Sequence, residues 1–423
     1  MSISLDAAAS QCIVRASLLA DGCGSAPRSD AAVLIDEGRI TAVDTTAAIT
    51  AKASPDTQTI DLGDACLAPG LIDGHTHLSL AGDGRLYSEM FSETDEMMVL
   101  TGALNLHRHL QAGITTIREH GARNRVGFTL KDGLNRGYIP GPRMQVSGRP
   151  ITCTGGHFHM CNEVADGEDE IRRSVRRLVH EGADYIKIMA SGGGTEGTIP
   201  GRASYSEAEL HAAVHEAHHL HRVTAAHCRA SESMVNAVKA GIDLMEHAEF
   251  LEPDGELKFD PELAQMMAEC GIWISPTLQA WCRWPQVTQL RRQREQGLAQ
   301  VDELATLQSL EKRAEKRLDV MRRMLDYCMK ERIVPGTDSG VNDLAFGHLD
   351  YDLELLVEVG FTPGEALESA TRISAEAIGL ADDLGTIEVG KVADLVAFDG
   401  DPTRDIGAVG RVVAVFQAGV RVR

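Results

Sequence analysis

The feature that most restricts how this chain can fold is an alternation. Between about residues 67 and 384, short apolar runs take turns with helix-forming stretches. The apolar runs are Leu67–Ile72, Ile114–Arg118, Arg143–Ser147, Tyr185–Met189, Val223–Ala226, Leu244–Glu246, Trp273–Ser275 and Ile333–Pro335. Helix-like stretches lie between them: Asp169–Glu181, Ser206–His221 and Ser231–Ala240. Ser206 with Glu209 is a capping box opening the second of these. Eight strands alternating with helices predict a parallel (β/α)8 barrel, a TIM-like α/β fold spanning 67–384. The stretch 286–331 exceeds an ordinary crossover and is rich in charged helix formers. It reads as a helical insertion after the seventh strand, a lid or an interface.

The two ends have another character. Ala32-Val33-Leu34-Ile35 runs through Asp36-Glu37-Gly38 into Arg39-Ile40-Thr41-Ala42-Val43, an acidic-Gly hairpin signal. Gly385–Phe398 and Val412–Phe416 are similarly β-rich. Residues 1–66 and 385–423 are therefore expected to form one small β-sandwich domain, with the barrel inserted between them.

A chain of 423 residues suits one large barrel plus such a satellite. Its net charge of −21 repels polyanions, which argues against nucleic acid as a partner. A small anionic substrate remains possible, because a metal ion or one arginine can dominate locally. The opening residues show neither a basic n-region nor a long apolar h-region, so no leader is expected. No apolar run approaches the ~18 residues of a membrane span. Nine cysteines without a CxxC pair suit a reduced, cytoplasmic protein better than a disulfide framework. Cys153 and Cys161 flank a His-containing loop and read as structural.

In a barrel, chemistry collects where strands end at their C-termini. There the sequence places His75 and His77, Lys187, His227, His247 and Asp338. Residues at i and i+2 share one face of a strand, so His75 and His77 can reach one ion. An HxH triplet alone is weak, and a lone strand-end histidine is more often structural; the recurrence of donors at successive strands changes that reading. Lys187 sits inside an apolar run, where burial favours the neutral amine. Such an amine can take up CO2 to give a carbamate able to bridge two ions; alone, it would sooner be paired with an acid. Asp338, in Gly336-Thr337-Asp338-Ser339, suits a carboxylate that binds an ion and accepts a proton from water. Its bland alternative is a helix cap.

Pro69–His77 (PGLIDGHTH), with Lys187, His227, His247 and Gly336-Thr337-Asp338-Ser339, resembles the amidohydrolase superfamily. Within it the chain is similar to the imidazolonepropionase-related group that includes prolidase-like Xaa dipeptidases. Thr154-Gly155-Gly156-His157 and Lys187–Gly193 are the more specific marks, although imidazolonepropionase itself lacks the strand-four lysine. The resemblance implies two divalent ions, zinc by default. His75, His77 and Asp338 would hold the more buried one and His227 and His247 the other, with carboxylated Lys187 bridging. It implies water activated near neutral pH, with Asp338 as the proton acceptor.

His157 matches a loop residue expected to donate to the substrate, or else to rigidify that loop. Arg229 stands where the dipeptidases are expected to carry Tyr or His; it would clamp a substrate carboxylate or pair with a neighbouring acid. Ser191-Gly192-Gly193-Gly194 reads as a close backbone approach beside the site rather than a phosphate loop. Glu119, His159 and His348 receive no role. The expected activity is hydrolysis of an amide C–N bond in a small molecule, an Xaa-Pro-like dipeptide or N-acyl amino acid with a free carboxylate. The alternatives are hydrolysis of a urea, carbamate or cyclic amide, deamination, or a barrel scaffold without chemistry. Relatives are often homo-oligomers, and the same is expected here by analogy.

Overall fold

The computed structural model describes residues 11–327 and 329–423; part of the opening segment read for a leader lies outside them. Five strands come first: β1 (Cys12–Leu19), β2 (Arg28–Asp36), β3 (Arg39–Thr45), β4 (Gln58–Asp61) and β5 (Cys66–Pro69). Seven follow: β6 (Leu71–Thr76), β7 (Ile114–Glu119), β8 (Arg143–Val146), β9 (Ile186–Met189), β10 (Thr224–Ala230), β11 (Leu244–Leu251) and β12 (Trp273–Ser275). The last three are β13 (Leu395–Phe398), β14 (Val412–Gln417) and β15 (Val420–Arg421).

The two ends share one eight-stranded sheet in the order β15-β14-β13-β5-β1-β2-β3, with β4 beside β1. A β-sandwich was expected from the sequence; the hydrogen bonds trace a single mixed sheet. The β2–β3 hairpin turns at Glu37 and Gly38, whose φ of 47° and 77° suit the twist of the flanking strands. The run expected as one strand from Leu67 to Ile72 is two. β5 pairs antiparallel with β13 in the terminal sheet, and after Gly70 the chain crosses to β6 and pairs parallel with β7. Only glycine fits at that crossing, since a Cβ there would lie 2.1 Å from Thr115 Oγ1.

The middle of the chain has a TIM-barrel-type α/β fold. β6-β7-β8 and β9-β10-β11-β12 form two parallel ladders. Single parallel bridges continue the pattern, Ile151 with Ile188, Ile274 with Ile333 and Thr76 with Ser339. The eighth strand, expected at Ile333–Pro335, is reduced to these bridges, because Pro335 has no N–H to give to a ladder. Helices Glu168–Glu181, Glu207–His219 and Ser231–Ala240 pack side by side, and Ser206 caps the second through Glu209 as expected.

The long insertion is two helices, Trp284–Glu295 and Val301–Leu325, packed against each other and against the short helix Leu278–Cys282. Leu307, Leu310, Ala314, Leu318 and Met321 recur at helical spacing and are buried, which explains why this arm lies on the barrel. Among the described residues no helix is long and apolar enough to cross a membrane, and the eight described cysteines are unpaired.

Candidate metal centre

The end of β6 and the loop carrying Asp338 are locked together by small residues. A Cβ on Gly74 would lie 2.6 Å from Val334 Cγ1, and one on Gly336 would lie 2.5 Å from His75 Cβ. Neither contact is tolerable, so only glycine lets these backbones close. Asp338 N then donates to His75 O at 2.8 Å, and His77 N donates to Ser339 O at 2.8 Å. Asp73 ties the seam by accepting from Thr337 Oγ1 at 2.7 Å and from His75 N at 3.1 Å.

This seam brings three donor atoms to one point. His75 Nε2 lies 3.3 Å from His77 Nε2 and 3.2 Å from Asp338 Oδ1, and His77 Nε2 lies 3.4 Å from the same oxygen. Hydrogen-bond partners fix what these nitrogens carry. His75 Nδ1 donates to Glu246 Oε2 at 2.6 Å, and His77 Nδ1 donates to Gly121 O at 3.4 Å. A carbonyl can only accept, so neutral His77 presents its Nε2 lone pair; His75, kept cationic by Glu246 and Asp338 while no ion is bound, would present its own once a metal ion replaces that proton. Three ligand atoms at these spacings are close to the edges of a tetrahedral site, which bonds of ~2.0–2.2 Å set at ~3.3–3.6 Å.

The second group lies across the rim. His247 Nε2 faces His227 Nδ1 at 2.8 Å. His227 Nε2 donates to Gly192 O at 3.1 Å. Thr277 Oγ1 accepts from Trp281 Nε1 at 2.8 Å and lies 2.8 Å from His247 Nδ1. Trp281 Nε1 is also 3.1 Å from His247 Nδ1, but its shorter contact is to the hydroxyl. Burial holds both rings far below the ordinary histidine pKa, so they are neutral. The facing nitrogens lie at hydrogen-bond distance, so one carries the hydrogen and the other the lone pair, and a bound ion would take the place of that hydrogen.

Lys187 is fully buried, and its Nζ has no hydrogen-bond partner. The nearest acid, Glu246 Oε1, is 3.8 Å away, too long for a hydrogen bond. Burial lowers the Lys187 pKa, against a weaker upward pull from Glu246 and Asp338. Around His75, burial is outweighed by the charges of Glu246 and Asp338, which lift its pKa to about 9. That is the excess negative charge a cation would neutralise. On Asp338 the upward push of burial is overcome by the imidazoles, His75 first, and the carboxyl stays well below its usual range. The donor set fits divalent metal ions.

His157 lies beside this cluster, its ring centroid 4.6 Å from that of His227, and its Nδ1 is 2.8 Å from Thr195 Oγ1. A Cβ on Gly193 would lie 2.5 Å from the His157 ring, and one on Gly194 would lie 2.7 Å from Tyr87 Cε2. The glycine run is a close backbone approach beside the site. Arg229 takes the expected neighbouring acid: its Nε donates to Glu249 Oε2 at 2.6 Å, while its Cζ sits 3.9 Å over the Trp281 ring. Its two Nη groups make no hydrogen bond among the described residues. Of the residues without a role, His159 bonds locally to Gly156 O, and His348 is half-exposed and pairs with Asp350. Glu119 is not at the mouth of the site; its Oε2 lies under Gly127 in the helix Val126–Asn135.

Sequence reasoning missed Glu246, Thr277 and Trp281, which orient His75 and His247. Glu246 left a trace, an acid within the apolar start of β11; Thr277 and Trp281 left none.

A barrel-type α/β fold with buried His, Lys and Asp donors at one rim defines a hydrolase of the metal-site type. The chain belongs to the amidohydrolase family, whose model matches residues 66–422. It is an enzyme, a hydrolase acting on carbon–nitrogen bonds. It is 28% identical over 425 residues to the ochratoxinase of Aspergillus niger, covering 93% of this chain and 82% of that one. It is 24% identical to the imidazolonepropionase of Symbiobacterium thermophilum, covering 85% and 81%. Among solved structures it resembles a Xaa-Pro dipeptidase with methionine bound in its active site: TM-score 0.81, 26% identity, 98% and 100% coverage.

Proposed function

We propose that this chain hydrolyses the amide bond of a dipeptide or N-acyl amino acid that bears a free carboxylate, using two divalent metal ions, zinc by default. The observation that carries this reading is the convergence of ligand atoms. His75, His77 and Asp338 meet at 3.2–3.4 Å and His227 and His247 at 2.8 Å, each imidazole having its other nitrogen committed elsewhere. The first three would hold one ion, the last two the other. Lys187 would join them after its Nζ, which has no hydrogen-bond partner and whose charged form burial disfavours, loses its proton and adds to CO2, forming an N–C bond and releasing one further proton to solvent.

When bound, the ions lower the pKa of water and polarise the scissile carbonyl. Asp338, kept anionic, takes the proton of the attacking water and returns it to the leaving nitrogen. His157, neutral through burial, faces the cluster as a substrate contact. Glu249 occupies only the Nε edge of Arg229, and Trp281 holds the guanidinium plane. The Nη edge thus remains for a carboxylate. An amino acid in the active site of the dipeptidase relative supports the same substrate class.

The test is turnover of N-acyl amino acids against their C-terminal amides, with the wild-type chain and Arg229→Gln. The reading expects the acids to be preferred and Arg229→Gln to erase that preference mainly through KM. Equal turnover of acids and amides by the wild type would contradict it.

A further inference from the structure

The inserted helical arm sends one charged side chain into the rim. Arg317, on the helix Val301–Leu325, is 2% exposed, and no carboxylate pairs with it among the described residues. Its partners are backbone carbonyls. Nη2 donates to His247 O, Nη1 donates to Ala248 O at 3.1 Å, and Nη2 also lies 3.5 Å from Pro276 O.

These carbonyls are not arbitrary. His247 and Ala248 have φ of 67° and 47°, a left-handed turn that swings their carbonyls out of the β11 ladder. Pro276 precedes Thr277, itself at φ 45°, whose hydroxyl is hydrogen-bonded to His247 Nδ1 at 2.8 Å. One guanidinium thus grips both the backbone of His247 and the turn bearing the hydroxyl that orients its ring. The other group of donors is held differently: Glu246, Gly121 O and the Asp73 seam orient His75, His77 and Asp338, and none of these belongs to the arm.

We propose that Arg317 is a positioning residue for the His227/His247 half of the centre, and that the arm's role is to deliver it. This rests on the two-ion reading given above. The role is selective: losing Arg317 releases the ion on His227 and His247 and leaves the one on His75, His77 and Asp338.

The test uses the full chain reconstituted with Co(II), reading ions per chain by mass spectrometry, the visible Co(II) spectrum and the fold by circular dichroism. The wild type is expected to hold two ions. Arg317→Ala is expected to keep one under the same conditions, with at least tenfold weaker binding of the second. Arg317→Lys, which restores the charge but not the fork of donors, is expected to fall between them. Arg322→Ala, on the same helix but paired at the surface with Glu315 at 2.7 Å, is expected to match the wild type. Two ions and an unchanged spectrum in Arg317→Ala would overturn the proposal, as would loss of both ions together. If Arg317→Ala does not fold, Arg317→Lys decides, and wild-type binding by it would overturn the proposal. A wild type that holds fewer than two ions would remove the two-ion reading itself, and this inference with it.

Discussion

Two side chains, Lys187 and Asp338, carry most of the chemical argument, and each makes a separate prediction. Lys187 has no hydrogen bond and no solvent, so its amine has no purpose as a charged group. Lys187→Ala is expected to abolish turnover, and bicarbonate with short carboxylic acids is expected to restore part of it; wild-type rates in the variant would remove the carbamate. Asp338→Asn keeps an oxygen toward the ion but cannot take a proton. It is expected to retain most of its metal while turnover falls by several orders of magnitude, measured by metal content and kcat together. Glu119 provides a test read from stability instead of turnover. Burial lifts its carboxyl from 4.5 to about 8, against a weaker pull from the Gly121 amide. A folded pKa above the unfolded one gives stability that is full at low pH and lost as pH rises through about 8, at ~1.4 kcal/mol per unit. Glu119→Gln is therefore expected to melt several degrees above wild type at pH 9, with the gap closing toward pH 5.

Among the elements, the seam between β6 and the reduced eighth strand sets the precision of the site. Its glycines are there because backbone meets backbone, not for flexibility. Gly336→Ala would put a methyl 2.5 Å from His75 Cβ. It is expected to cost ~1–3 kcal/mol of stability and to loosen the ion held by His75, His77 and Asp338. A variant with unchanged melting and metal content would show that the seam yields more readily than its packing implies. The same elements show what was legible in the sequence. His75, His77, His227, His247 and Asp338 follow apolar runs and Lys187 interrupts one, so strand order together with the family resemblance made them candidates for one site. The split at Gly70 could not, because Leu67–Ile72 is one uninterrupted apolar pattern serving two sheets. Nor could the contacts of Thr277, Trp281 and Arg317 with His247: that histidine lies 30 or more residues away from each, and nothing in their spacing marks the contact.

The whole molecule joins a sheet built from both chain ends, a barrel-type core and an arm, and on the two-ion proposal the ions would belong to its folded state. Ligands that bind only the folded chain stabilise it, by ~4 kcal/mol when present at a thousand times Kd. Chelation is thus expected to lower the melting temperature by several degrees and zinc to restore it. The most direct measurement of the central claim is an anomalous-scattering map of zinc-loaded crystals. The account predicts two strong peaks, one ~2 Å from His75 Nε2, His77 Nε2 and Asp338 Oδ1, the other beside His227 Nδ1 and His247 Nε2. A well-ordered rim at these five residues with no anomalous peak, or with one peak lying elsewhere, would contradict it.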